Sequence, residues 1–205
     1  MIHLIGEKYR EKLETGLLRA GADVIWLPDN PSLDPRLSGH ADLSVCFVPP
    51  NMIVAAQSEY DYIVNKLTNY NFKTIRSSKQ EAFYPKCAGL CVCLSGRYVI
   101  CNDKTVDPVL MPLLSEPRIN VPQGFTNCAI CMVRDDALIT SDDIIAQKAE
   151  QNGLDVLKIT PGMIELPGYD YGFIGGASAK LSDHSIAFTG KLDEHIDYGR
   201  IMALG

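Results

Sequence analysis

Ala137-Leu138-Ile139-Thr140-Ser141-Asp142-Asp143-Ile144-Ile145-Ala146-Gln147-Lys148-Ala149-Glu150 and its continuation, Gln151-Asn152-Gly153-Leu154-Asp155-Val156-Leu157-Lys158-Ile159, decide the fold. The first four residues read as an apolar strand. Ser141-Asp142-Asp143 then offers side chains that accept from the free N–H groups of a helix start. Gly153 stops the helix as a C′ glycine does. Leu154 to Ile159 reads as a closing strand, ended by Thr160-Pro161.

The same order recurs outward from this stretch, preceded each time by a hairpin. Second strands are read at Met52-Ile53-Val54-Ala55, Tyr98-Val99-Ile100-Cys101, Ala137-Leu138-Ile139-Thr140 and Ser185-Ile186-Ala187-Phe188. Their spacing of roughly 39 to 48 residues is that of a repeat architecture. The turns before them carry Pro49-Pro50-Asn51, Ser95-Gly96, Asp135-Asp136 and Asp183, which suit tight hairpins. Closing strands are expected at Phe72-Lys73-Thr74-Ile75 and Arg118-Ile119-Asn120-Val121, with a helical stretch before each. Tyr9 to Ala20 is expected to be a helix, stopped by Gly21 and followed by a strand from Ala22 to Pro28. The repeat thus predicts one α/β domain over 1–205, with a half-unit at 1–30 and ββαβ units at about 40–76, 87–121, 127–160 and 172–205. The last unit ends at Gly205, in or just after its helix.

The 205 residues suffice for a sizeable core. A hydrophobic fraction of 46% and a charged fraction of 21% are those of a globular chain. No apolar run approaches the roughly 20 residues of a membrane helix, and the first residues turn charged too early for a secretory segment. The seven cysteines are odd in number and closely spaced, as in Cys91-Val92-Cys93. That is no disulfide framework, so a reducing, cytoplasmic setting is expected. With net charge −6 and no basic cluster, nucleic acid is not an expected partner. The acidic balance permits a cationic small molecule.

Several side chains invite chemistry. His40 and Asp42 lie in Gly39-His40-Ala41-Asp42, ahead of strand residues Leu43 to Phe47. His40 reads either as an acid/base or as a hydrogen-bonded structural histidine, and Asp42 as a ligand carboxylate or a partner of backbone groups. Cys128 begins Cys128-Ala129-Ile130-Cys131, formally C-x-x-C, but on a strand residues three apart point to opposite faces. Redox pairing is therefore not expected. No second cysteine or histidine pair completes a zinc set, and neither metal nor organic cofactor is expected. The glycine-rich run Tyr169-Asp170-Tyr171-Gly172-Phe173-Ile174-Gly175-Gly176 reads either as backbone that approaches a ligand or as a sharp bend into a packed strand.

The repeat resembles that of the pentein, or guanidine-modifying enzyme, superfamily, whose fold is an α/β propeller of five such units. Gly39-His40-Ala41-Asp42 is similar to the Gly-His-x-Asp element of agmatine and peptidylarginine deiminases. The resemblance implies His40 as general acid/base and Asp42 as a guanidinium ligand. Two units further on it implies Cys128 as the nucleophile, and one unit beyond that Asp170 as a second substrate carboxylate. The family's Glu/Asp-Gly-Gly-Asp element is not present. Implied chemistry is Cys-dependent C–N hydrolysis or amidino transfer on a guanidino or amidine compound, without a cofactor. The alternative on the same scaffold is a non-catalytic binding protein. An incompletely closed ring would favour homo-oligomers through exposed strands.

Overall fold

A computed structural model describes residues 2–204. The chain divides into two compact units. One runs through Val92 and includes Asp103–Ser115; the other comprises Cys93–Asn102 and the chain from Glu116 onward.

In the first unit, β1 (Ile2–Gly6) pairs in parallel with β2 (Asp23–Leu27), and α1 (Arg10–Arg19) makes the crossover after a 3-10 turn at Glu7–Tyr9. The N-terminal half-unit thus has a first strand besides the expected helix and second strand. A short helix, α2 (Ala41–Ser44), leads into β3 (Val45–Val48), which pairs antiparallel with β4 (Met52–Ala55). Next come α3 (Tyr60–Lys66) and β5 (Lys73–Arg76), the latter parallel to β4. Buried Ile25, Leu27, Ile53, Ala55, Ile63 and Leu67 form one cluster, so α3 covers both sheets with its apolar side.

The second unit repeats the arrangement. β6 (Cys93–Leu94), β7 (Val99–Cys101) and β8 (Arg118–Asn120) form a sheet in which β7 is central. No α-helix joins β7 to β8. In the connecting segment, which belongs to the first unit, a 3-10 turn at Met111–Leu113 with Pro112 inside it stands where a helix was expected, since proline cannot donate to a helical ladder. Then come α4 (Thr126–Ala129), β9 (Ile130–Arg134), β10 (Ala137–Thr140), α5 (Asp143–Gln151) and β11 (Asp155–Lys158), again with β10 central. Asp142 caps α5, accepting from the N–H groups of Ile144 and Ile145, each at 2.9 Å. Gly153 ends it with φ +79°, the left-handed conformation that favours glycine. Last are the hairpin β12 (Ser178–Ser182) with β13 (Ser185–Phe188), and α6 (Tyr198–Leu204). Leu138, Ile145 and Ala149, all fully buried, pack with Ile100, Ile119 and Val121.

The second strands of all four hairpins fall where the repeat puts them. One local reading needs correction: Leu43, Ser44, Cys128 and Ala129 lie not on strands but on the helical turns α2 and α4 just before them. The opposite-face argument for Cys128 and Cys131 therefore does not apply, because only Cys131 is on a strand. No helix among the described residues is long and apolar enough to cross a membrane.

Candidate functional site

His40 and Asp42 belong to the first unit, Cys128 and Asp170 to the second. His40 caps α2 with extended backbone (φ −82°, ψ 107°), and Asp42 sits in the first turn. A ring nitrogen of His40 and a carboxylate oxygen of Asp42 lie within 4.8 Å of each other. The Tyr9 hydroxyl lies 3.4 Å from His40 Nε2, and the two rings meet edge to face at 6.2 Å. Burial pushes the His40 imidazole below its ordinary value; Asp42 works against this shift and Lys8 adds to it. Burial thus favours the neutral form of His40 in the folded chain.

Asp42 accepts a hydrogen bond from the Cys91 thiol, with 3.4 Å between Sγ and Oδ2. Nearby Cys46 is pushed up to about 12, by burial first and then by Cys91 and Asp42. The Asp42 carboxylate is itself half-buried.

The His40 turn is built by close backbone approach. A Cβ at Gly6 would lie 2.0 Å from the Gly39 carbonyl oxygen, so only glycine lets β1 come this near. The turn is tied to β4 by the Ala56 N–H, which donates to Ser44 O at 2.7 Å.

The Cys128 turn is held in the same way. Thr140 Oγ1, at the end of β10, donates to Ala129 O at 2.9 Å, and the Ala129 N–H donates to Phe125 O at 2.9 Å. The Gly176 N–H donates to Cys128 O at 2.9 Å. A Cβ at Gly175 would lie 2.2 Å from Asn127 O and 2.3 Å from Ile130 O, far inside contact distance. Of the two readings of the glycine run, the backbone bend against a packed element accounts for Gly175 and Gly176. Cys128 itself is 6% exposed. Asp170 is exposed in the irregular segment between β11 and β12.

The structure thus brings His40 and Asp42 together within one unit, and keeps Cys128 and Asp170 on separate elements of the other. Tyr9 and Cys91 are partners that sequence reading missed. Nothing local to either residue signals the contact, because 31 residues separate Tyr9 from His40 and 49 separate Cys91 from Asp42. All seven cysteines are buried thiols. Burial raises Cys87 to about 11 and raises Cys131 as well, although a bond to Ser178 opposes the latter.

Residues 4–204 match a family of unknown function, DUF6873. No curated protein matches the sequence. Among solved structures, the chain is similar to a mutant of DDAH from Pseudomonas aeruginosa complexed with citrulline. That likeness has a TM-score of 0.58 at 10% identity and covers 98% of this chain and 88% of the other. It is similar, too, to a dimethylarginine dimethylaminohydrolase in its adduct with S-methyl-L-thiocitrulline (TM-score 0.58, 12% identity, 95% and 79% covered). A third is the inosamine-phosphate amidinotransferase of Streptomyces griseus (TM-score 0.55, 11% identity, 93% and 65% covered). These likenesses show a mixed α/β fold that the chain shares with those proteins.

Proposed function

The chain belongs to the DUF6873 family, and we propose that it carries out Cys-dependent hydrolysis or amidino transfer on a guanidino or related amidine compound. Cys128 is the nucleophile, His40 the acid/base, and Asp42 and Asp170 the substrate carboxylates, on ββαβ units of a pseudo-fivefold α/β propeller that is incomplete at its C-terminal unit. The observation that carries the reading is a positional equivalence. His40 and Asp42 lie at the short helical turn that enters β3, and Cys128 lies on the matching turn that enters β9. The fold is shared with enzymes whose structures hold citrulline and S-methyl-L-thiocitrulline.

A guanidinium carbon is a poor electrophile, so a thiolate is needed to attack it. Neutral His40 takes the Cys128 proton, and a C–S bond forms at that carbon. The C–N bond to the leaving group then breaks, and His40 returns the proton to the departing amine. An amidinium thioether remains on Cys128. Water, deprotonated by His40, attacks the same carbon; the C–S bond breaks, and the thiol and neutral His40 are restored with a ureido product. In the transfer variant an acceptor amine replaces water. Asp42 and Asp170 grip the planar cation and hold its carbon toward the sulfur.

The test is an incubation of the full chain with arginine, agmatine, methylarginines and related amidines, followed by intact-mass analysis. The reading expects one of them to leave an amidino adduct on Cys128, and expects Cys128→Ser to abolish both adduct and turnover. Ligand-induced stabilisation without adduct or turnover would favour the binding-protein alternative. No adduct and no stabilisation across the panel would contradict both.

A further inference from the structure

We infer that Asn30, acting with Gln80, is a positioning residue for the turn that carries His40 and Asp42. The inference rests on the reading of those two side chains as substrate-facing groups. Asn30 lies just beyond β2 and is fully buried. Its amide uses every hydrogen-bonding position it has. Nδ2 donates to Ser44 Oγ at 3.2 Å and to Gln80 Oε1 at 3.0 Å. Oδ1 accepts from Ser58 Oγ at 2.8 Å and from the Ser32 N–H at 3.0 Å. The Asn30 N–H donates to Ser38 O at 2.8 Å. Gln80, itself 5% exposed, donates from Nε2 to Leu43 O at 2.6 Å.

These bonds end on Ser38, Leu43 and Ser44, which bracket His40 and Asp42 on both sides. A four-residue helix cannot hold its own geometry, because nucleating a turn is unfavourable in isolation. Directional bonds from the two buried side-chain amides fix the Leu43–Ser44 end of the turn, and the Asn30 backbone N–H holds Ser38 on the other side, whereas apolar contacts would let the turn slide. The network thus sets where the imidazole and the carboxylate sit, although neither Asn30 nor Gln80 touches them. Ser58 bonds the same amide but does not reach the turn, which supplies an internal control.

The experiment follows the histidine resonances of the full chain by NMR as pH is varied, with His184 and His195 as references. In Gln80→Leu and in Asn30→Leu the turn loosens and hydrates. The His40 midpoint should then rise toward the ordinary histidine value. Asp42, Lys8 and Tyr9, which act on it within the first unit, are unchanged in these variants. His184 and His195 should stay in place, and Ser58→Ala should leave His40 where it is. If Asn30→Leu does not fold, Gln80→Leu carries the test. An unmoved His40 in folded Gln80→Leu overturns the inference, and so does an equal movement in Ser58→Ala. The readout needs no turnover, so a chain inert toward guanidino compounds still gives a clear answer here.

Discussion

At the scale of single residues, the titrating groups make opposite demands on the fold. Burial raises the Glu59 carboxyl, with Asp29 adding and a hydrogen bond from Ser44 opposing. Its neutral form is favoured in the folded chain. Stability is therefore fully present below the ordinary carboxylate value and is lost as pH rises through the folded value. Glu59→Gln should accordingly stabilise the protein at pH 7, on the order of 1 kcal/mol for an ionised group relieved of burial. The gain should shrink as denaturation is repeated at decreasing pH. Asp197 behaves the other way. The Thr160 N–H, then Arg200, hold it near about 2, so its contribution is present above the ordinary carboxylate value and is lost as pH falls toward about 2. Asp197→Asn should flatten that acid limb of the stability curve. Of the proposed site, His40 and Asp42 could be picked out in sequence by their resemblance to a Gly-His-x-Asp element, and Cys128 by counting two units on from it. Tyr9, Cys91 and Asn30 could not, because each acts on the site through contacts that only the folded chain makes.

At the scale of elements, the strands were the most legible part. Met52–Ala55, Ala137–Thr140 and Ser185–Phe188 are short apolar runs bounded by turn residues, and all three have the bounds read from sequence. The turns α2 and α4 were read as strand because four residues give no helical period to detect. The link from β7 to β8 was expected to be helical, yet its prolines allow only a 3-10 turn. The α5 cap was legible from its side chains alone, and it makes a direct prediction. Asp142→Ala leaves the Ile144 and Ile145 N–H groups without their acceptor and should cost about 1 kcal/mol in chemical denaturation. Gly175 makes a sharper one. Gly175→Ala must push a methyl group into the carbonyls of Asn127, Cys128 and Ile130. It should shift the backbone amide resonances of Asn127 to Ile130 while the α3 core around Ile63 keeps its own. Unchanged resonances at those four residues would mean that the close approach is not needed.

At the scale of the whole chain, sequence repetition is what made the architecture readable. Three of the units close their own small sheet with a parallel strand, so the order of elements can be inferred without long-range information. Order along the chain does not fix which side chains from different repeats act on one substrate. That is why the fold follows from the repeat, while the joint action of His40 and Cys128 has to be measured. Site-resolved alkylation of the seven cysteines measures it most directly, comparing a haloacetamidine, which carries the amidinium group, with a neutral haloacetamide of similar size. The account predicts that the amidinium reagent labels Cys128 at least about tenfold faster than the neutral one, with the preference lost in Asp42→Asn and the labelling slowed in His40→Gln. Cys46 and Cys87, held protonated by burial, should stay slow with both reagents. Equal labelling of Cys128 by the two reagents, or a preference indifferent to Asp42 and His40, would contradict it.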